Sequence, residues 1–228
     1  MALFLSLGVI FVLLLSTVDA VWIERGSFTG SGSFDALAGF KLFARGLSVV
    51  FAGWLLLQVG SGSWLFADRG LNVLALFFVY GAASAAYSAV PILSLTRAVS
   101  FLGVLFFAVV LLRYVSDTGQ FERFWKGLYV TLGLYVTLVF VASLLLDAAG
   151  LGDRRAGWEG RLTSLYGPNG AASLAGLVFI WSFVRLTGRI GVKTALFYLF
   201  ASGAFLVLAL SRGAMVTVFS TCAAYAVW

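Results

Sequence analysis

The chain has 228 residues, of which 62% are hydrophobic and only 11% are charged, and its mean hydropathy is +1.05. A soluble globular domain is about 45–50% apolar and about 25% charged. This chain has too few polar residues to cover the surface of a water-soluble fold. The composition therefore excludes a soluble globular protein and predicts an integral membrane protein. At about 20 residues per span, eight spans are close to the most that this length accommodates.

The charged residues narrow the possible functions further. There are 15 Lys and Arg residues against 9 Asp and Glu, which gives a net charge of +6. The basic residues are scattered between apolar runs, a pattern typical of loops that set membrane orientation and not of a nucleic-acid-binding surface. Histidine is absent and Cys222 is the single cysteine, so a Ser-His-Asp triad, a cysteine-cluster metal site and an intramolecular disulfide are excluded. We expect no metal and no cofactor.

Continuous apolar runs predict seven or eight transmembrane helices, and hence an all-α bundle that forms one transmembrane domain over residues 1–228. The runs do not alternate with polar residues, which favours helices over the strands of an outer-membrane barrel. The first run ends at Val18-Asp19-Ala20, which resembles a cleavage site, so it is either a span or a removable signal peptide. The predicted spans are roughly 2–18, 46–66, 71–91, 98–115, 127–146, 169–186, 194–210 and 214–228.

The last apolar stretch must contain a break. Residues 194–228 are too many for a single crossing, which takes about 20 residues. An arginine at the bilayer centre costs about 2.5–3.5 kcal/mol on insertion scales, and far less at the boundary. The break is therefore expected at Ser211-Arg212-Gly213, with Arg212 at the apex of a hairpin. Only about 15 residues follow this apex, fewer than a full span needs, so we expect the chain to be the N-terminal part of a longer domain.

The membrane orientation is predicted from loop charge. Residues 185–193 carry three basic residues and no acidic one, which indicates a cytoplasmic loop. Alternation of the spans then puts residues 116–126 on the same side, and residues 147–168 and 211–213 on the outside. Three arginines on the predicted outer side, Arg97, Arg154 and Arg155, argue against this orientation.

The residues best suited to chemistry lie between 147 and 169 and at Arg212. Pro168 and Asn169 are typical of a helix start, because proline needs no amide partner there and asparagine caps free amides. If both helices descend from the outer face, their N-termini lie on the same side as Arg161 and Arg212, an arrangement that favours an anion such as phosphate. The alternative is that these arginines simply extend to the lipid headgroups. The carboxylates Asp147, Asp153 and Glu159 lie in the same loop, but acidic residues in a solvated loop usually have no chemical role, and none of them is a good general base; Glu159 is the one that could serve as a base.

Three segments resemble motifs of the bacterial O-antigen ligase and polysaccharide polymerase family of inner-membrane proteins, and together they extend over about residues 70–228. Their order and spacing carry more weight than any one of them. The segments are residues 160–172, with Arg161, Gly167-Pro168-Asn169 and Ala171-Ala172; residues 210–214, with Ser211-Arg212-Gly213; and residues 84–97, with a serine-rich span end followed by Pro91-Ile92-Leu93-Ser94-Leu95.

This resemblance implies transfer of a saccharide from undecaprenyl diphosphate to a glycan or lipid A-core acceptor at the periplasmic face, without a metal. It implies Arg161 and Arg212 as the catalytic residues beside the diphosphate. We also expect Asn169, Tyr166 and Ser211 at the substrate: Asn169 shapes the loop, and Tyr166 contacts the sugar as aromatic rings commonly do. Family members also use a histidine in a large periplasmic loop further along the chain. This sequence has no histidine, so it resembles an incomplete enzyme.

Two other functions stay open from the sequence. A non-enzymatic transporter of lipid-linked glycans is expected to carry ionisable residues inside its spans, along a pathway. Nearly all charges here lie at the ends of the predicted spans, which counts against transport. The other possibility is a structural or assembly subunit without chemistry.

Overall fold

The computed structural model describes residues 1–17, 36–59, 69–88, 91–149, 168–209 and 212–227. All regular elements within these ranges are helical, which confirms the all-α prediction for the described part of the chain. A short 3-10 helix (Ser84–Tyr87) lies between the third and fourth α-helices. The α-helices are α1 (Ala2–Leu15), α2 (Ala36–Val59), α3 (Arg69–Ala83), α4 (Pro91–Asp117), α5 (Phe121–Ala148), α6 (Pro168–Thr187), α7 (Val192–Leu208) and α8 (Arg212–Val227).

The helices have the length and surface of a membrane protein. Three described segments are long and apolar enough to cross a bilayer, namely Gly39–Val59, Ala98–Asp117 and Phe121–Ala148. Large apolar side chains also point away from the rest of the chain; Leu57, for example, is 84% exposed and Phe200 is 74% exposed. Such surfaces are unfavourable in water but match the hydrocarbon of a lipid bilayer.

The observed helices differ from the predicted spans most at α2, although α4 and α5 also begin before the predicted residues 98 and 127, and α3 ends before the predicted residue 91. The α2 helix already includes Ala36, well before the predicted start at residue 46, and it contains Lys41 and Arg45. Basic side chains do not end a helix, because their long stems lie along apolar surface while the charge reaches outward. The Arg45 guanidinium lies 5.9 Å from the centre of the Phe101 ring. The predicted break near Arg212 is confirmed, since α7 ends at Leu208 and α8 begins at Arg212.

The described helices form two compact units. Of the described residues, unit 1 contains 1–16, 36–59, 69–88 and 91–125, and unit 2 contains 17, 126–149, 168–209 and 212–227. In unit 1, α2 and α4 run parallel, since Val49 contacts Gly103 and the Phe51 ring lies 6.2 Å from that of Phe107. The α1 helix packs on α2, and α3 packs on α4.

Unit 2 is built from most of α5 together with α6, α7 and α8. The α5 and α7 helices run parallel, because the Tyr198 ring lies directly on Gly133 and, further along both helices, the rings of Phe140 and Phe205 are 5.3 Å apart. The α6 and α7 helices form an antiparallel hairpin. The ring of Phe179 in α6 lies 3.2 Å from the position that a Cβ on Gly203 would occupy, so the two helices approach closely here.

Two helix ends use the same turn with different residues. After α4, Gln120 N–H donates to Val115 O at 3.0 Å, and Gly119 adopts the left-handed conformation with φ +63°. After α6, Ile190 N–H donates to Arg185 O at 2.9 Å, and Arg189 takes the left-handed position with φ 55°. Glycine has no Cβ to strain this conformation, whereas arginine does.

Replacing Arg189 by glycine is therefore expected to stabilise the α6–α7 hairpin by about 1 kcal/mol, through relief of left-handed strain. The midpoint of thermal unfolding in detergent should rise by a few degrees. Arg189→Ala is the control, since it removes the charge but keeps the Cβ. Equal stabilisation by both variants would mean that charge repulsion, and not backbone strain, had been relieved.

Candidate functional site

The structure describes only part of the predicted site. Arg161, Tyr166 and Ser211 lie outside the described residues. Asn169 is the second residue of α6 and Arg212 is the first residue of α8. Both of these helix starts belong to unit 2, so the position of one relative to the other is defined.

The α6 and α8 helices pack side by side and run parallel. Gly176 lies against Val218, and a Cβ on this glycine would come within 2.8 Å of Val218 Cγ2. Seven residues further along each helix, the rings of Phe183 and Tyr225 are 6.4 Å apart and meet edge to face. Followed back toward the helix starts, the same register puts Arg212 level with the first turn of α6.

The α7 helix, which lies between α6 and α8 in the sequence, explains how these two helices can be parallel. Because α7 runs antiparallel to α6, it returns the chain to the end of unit 2 where α6 begins. Its last turn is closed by Ala209, whose amide donates to Phe205 O at 2.9 Å and whose side chain is buried. The α8 helix starts three residues later, at Arg212. The N-terminal turns of α6 and α8 thus lie at the same end of unit 2.

This pair of helix starts is suited to an anion. The first amides of a helix lack intrahelical partners, and the helix dipole adds partial positive charge at the same point. Neither α6 nor α8 has an acidic residue in its first turn. Each helix end contributes about 0.3–1 kcal/mol toward a nearby negative charge when exposed. The parallel packing of α6 and α8 puts both helix starts at one end of unit 2.

The opposite end of unit 2 holds a group that the sequence analysis did not predict. The buried Tyr129 hydroxyl lies 2.9 Å from the Ser182 hydroxyl, and the Arg185 guanidinium stacks 4.7 Å from the centre of the Tyr129 ring. The Tyr129 ring also meets those of Trp181, at 5.3 Å, and Tyr198, at 5.4 Å. The one signal in the sequence was the spacing of Trp181 and Arg185 by one helical turn.

Tyr129→Phe is expected to destabilise unit 2 by about 1 kcal/mol, because it removes the buried hydrogen bond to Ser182 but keeps the ring and its stacking. Thermal unfolding in detergent measures this as a lowered midpoint. Ser182→Ala should cost a similar amount, and adding it to Tyr129→Phe should cost little more. Fully additive losses would contradict a direct bond between the two hydroxyls.

The described residues contain no group of three or more Cys, Asp or Glu side chains that is placed to hold a metal ion.

Comparisons of the chain with known protein families, with curated proteins and with solved structures found no match. The resemblance to O-antigen ligases and polymerases accordingly rests on the sequence motifs alone.

Proposed function

We propose that the chain is a multi-pass protein of the bacterial inner membrane that transfers a saccharide from undecaprenyl diphosphate to a glycan or lipid A-core acceptor. It would do so as part of an O-antigen ligase or polysaccharide polymerase that acts at the periplasmic face. The observation that supports the proposal is the parallel register of α6 and α8. Two of the three segments with family resemblance, residues 160–172 and 210–214, include these two helix starts.

The proposed topology has seven or eight spans. Besides the three long helices, α6 has 20 residues, a length of about 30 Å that equals the hydrocarbon thickness of a bilayer. Within unit 2, Lys126 near the start of α5 lies at the same end as Arg185 in the last turn of α6, since Tyr129 contacts Arg185. This shared basic end favours a cytoplasmic location, and the starts of α6 and α8 then face the periplasm.

The proposed reaction develops charge where these helix starts lie. The acceptor hydroxyl oxygen bonds to the anomeric carbon, and the bond from that carbon to the diphosphate oxygen breaks. The electron pair stays on the diphosphate, which leaves with an additional negative charge, and the hydroxyl proton passes to a base. Fixed positive groups beside the leaving oxygen lower the barrier, because they are already oriented when the charge appears.

We assign the roles as follows. Arg161 and Arg212 bind the diphosphate, since a guanidinium keeps its charge and offers two parallel donors to phosphate oxygens. Asn169 shapes the start of α6, Ser211 adjoins the leaving group, and Tyr166 contacts the sugar. Glu159 is the candidate base within this chain, and family resemblance implies a histidine further along a longer one.

The test is a transfer assay with purified full-length protein, an undecaprenyl-diphosphate-linked saccharide and an acceptor glycan. We expect the acceptor to gain mass while free undecaprenyl diphosphate accumulates in equal amount. Movement of the intact lipid-linked saccharide across a vesicle membrane, without release of undecaprenyl diphosphate, would instead identify a transporter and overturn the proposal.

A further inference from the structure

A basic cluster surrounds the turn between α6 and α7, away from the proposed transfer site. We define the hairpin cluster as Arg185, Arg189 and Lys193. Arg189 and Lys193 are exposed, and residues 185–193 contain no acidic side chain. Within the described part of the chain, no carboxylate forms an ion pair with any of the three, whereas Arg113 in α4 is paired with Asp117 at 3.0 Å. The positive charge of the hairpin cluster is thus not compensated by these described neighbours.

Arg185 is held in place by an aromatic ring and not by a carboxylate. Its guanidinium lies 4.7 Å from the centre of the Tyr129 ring, and Tyr129 is itself fixed by its hydrogen bond to Ser182. Its Nε atom is buried and has no hydrogen-bond partner among the described residues. The contact with the ring restrains the guanidinium, and a guanidinium can donate two parallel hydrogen bonds to phosphate oxygens.

The start of α7 adds amide donors beside this guanidinium. Gly191 precedes α7 in the left-handed conformation, with φ 60° and ψ 47°, and no side chain caps the helix. A Cβ at Gly191 would lie 3.6 Å from Arg185 Nη2, so the first turn of α7 begins next to the guanidinium. Helix starts of this kind favour negative charge.

The surroundings of the cluster favour a lipid over a free ion. Ile190 and Val192 alternate with the basic residues in the turn and are 56% and 41% exposed. Two turns into α7 the outward-facing Phe197 and Phe200 continue this apolar surface. A ligand that fits both features is negatively charged at one end and apolar at the other.

We propose that the hairpin cluster binds the phosphate of an anionic phospholipid, with Arg185 as the central contact, Arg189 and Lys193 beside it, and the acyl chains along α7. The site needs only that the α6–α7 turn lies at a membrane surface. It is therefore independent of the proposed glycosyl transfer.

The test uses purified protein in detergent, titrated with phosphatidylglycerol or with phosphatidylcholine, and bound lipid is counted by native mass spectrometry. We expect wild type to prefer phosphatidylglycerol, and Arg185→Gln to weaken its binding about tenfold, the loss of one charge-assisted contact. Arg123→Gln is the matched control, since Arg123 is an exposed arginine in the first turn of α5. Lipid binding by this control variant should stay within about twofold of wild type, as expected for the loss of an exposed charge that is not one of the three in the hairpin cluster.

Three results would overturn the proposal. Equal losses of phosphatidylglycerol affinity in Arg185→Gln and Arg123→Gln would show that the lipid is attracted by positive charge in general and not by this site. Displacement of the lipid by millimolar inorganic phosphate would show a site for free phosphate. Should Arg185→Gln fail to fold, Arg185→Lys decides, because lysine keeps the charge but lacks the planar fork; wild-type affinity in this variant would remove the basis for a stacked guanidinium site.

Discussion

Arg212→Ala in the full-length protein is expected to lower the rate of saccharide transfer by about 10²–10³-fold, the usual cost of losing one preorganised donor beside a developing negative charge. The effect should appear mainly in kcat, because the diphosphate gains its charge as the sugar leaves. Arg212→Lys should recover only part of the rate, since lysine keeps the charge but loses the bidentate geometry. The measurement is product formation with purified enzyme over a range of donor concentrations.

The matched control for this experiment is Arg123→Ala, which removes the same charge from the first turn of α5. Its transfer rate should equal that of wild type. Arg161→Ala tests the second arginine in the same assay and should also lower kcat. If Arg161→Ala and Arg212→Ala both form product at the wild-type rate and at equal protein level, neither arginine acts on the diphosphate.

The sequence was sufficient to predict the helices because a bilayer imposes a simple requirement on each span. Continuous apolar runs of membrane length have to be helical, since lipid offers no partners to backbone amides. The break between Leu208 and Arg212 was predictable for the same reason, because the mostly apolar stretch 194–228 has 35 residues, more than one crossing needs. The early start of α2 was not predictable from hydropathy, because Lys41 and Arg45 lower the hydropathy but permit the helix.

The sequence predicted the helix starts that form the candidate site, but it did not predict how the helices pack together. Pro168-Asn169 and Ser211-Arg212 indicated two helix starts, and both were found close to those positions. The sequence did not show which face of each helix packs against its neighbours. A helix that is apolar on all sides has no apolar stripe that marks the buried face. The contacts of Tyr129 with Ser182 and Tyr198 join three helices, and nothing in the local sequence of any one helix identifies its partners.

The register of α6 and α8 itself leads to the second large effect. Gly176→Leu is expected to separate the two helices, because a side chain there would overlap Val218, whose Cγ2 is already 2.8 Å from the position of a Cβ. We expect a loss of about 1–3 kcal/mol in stability and a large loss of transfer although Arg212 is intact. The thermal midpoint in detergent and the transfer assay measure the two effects on the same sample.

Two further variants test whether this loss arises at the contact. Gly46→Leu in α2 is the control for adding a side chain, because a Cβ there meets nothing within 4 Å, and it should lower neither stability nor transfer. Gly176→Ala should cost less than leucine, and Val218→Ala should relieve part of that cost, with a coupling of about 0.5–3 kcal/mol between the two positions. Coupling is the decisive quantity, because a general defect in helix insertion would make the two changes additive. If the losses of stability are additive, or if Gly176→Leu transfers saccharide at the wild-type rate, the proposed activity does not depend on the packing of α6 against α8.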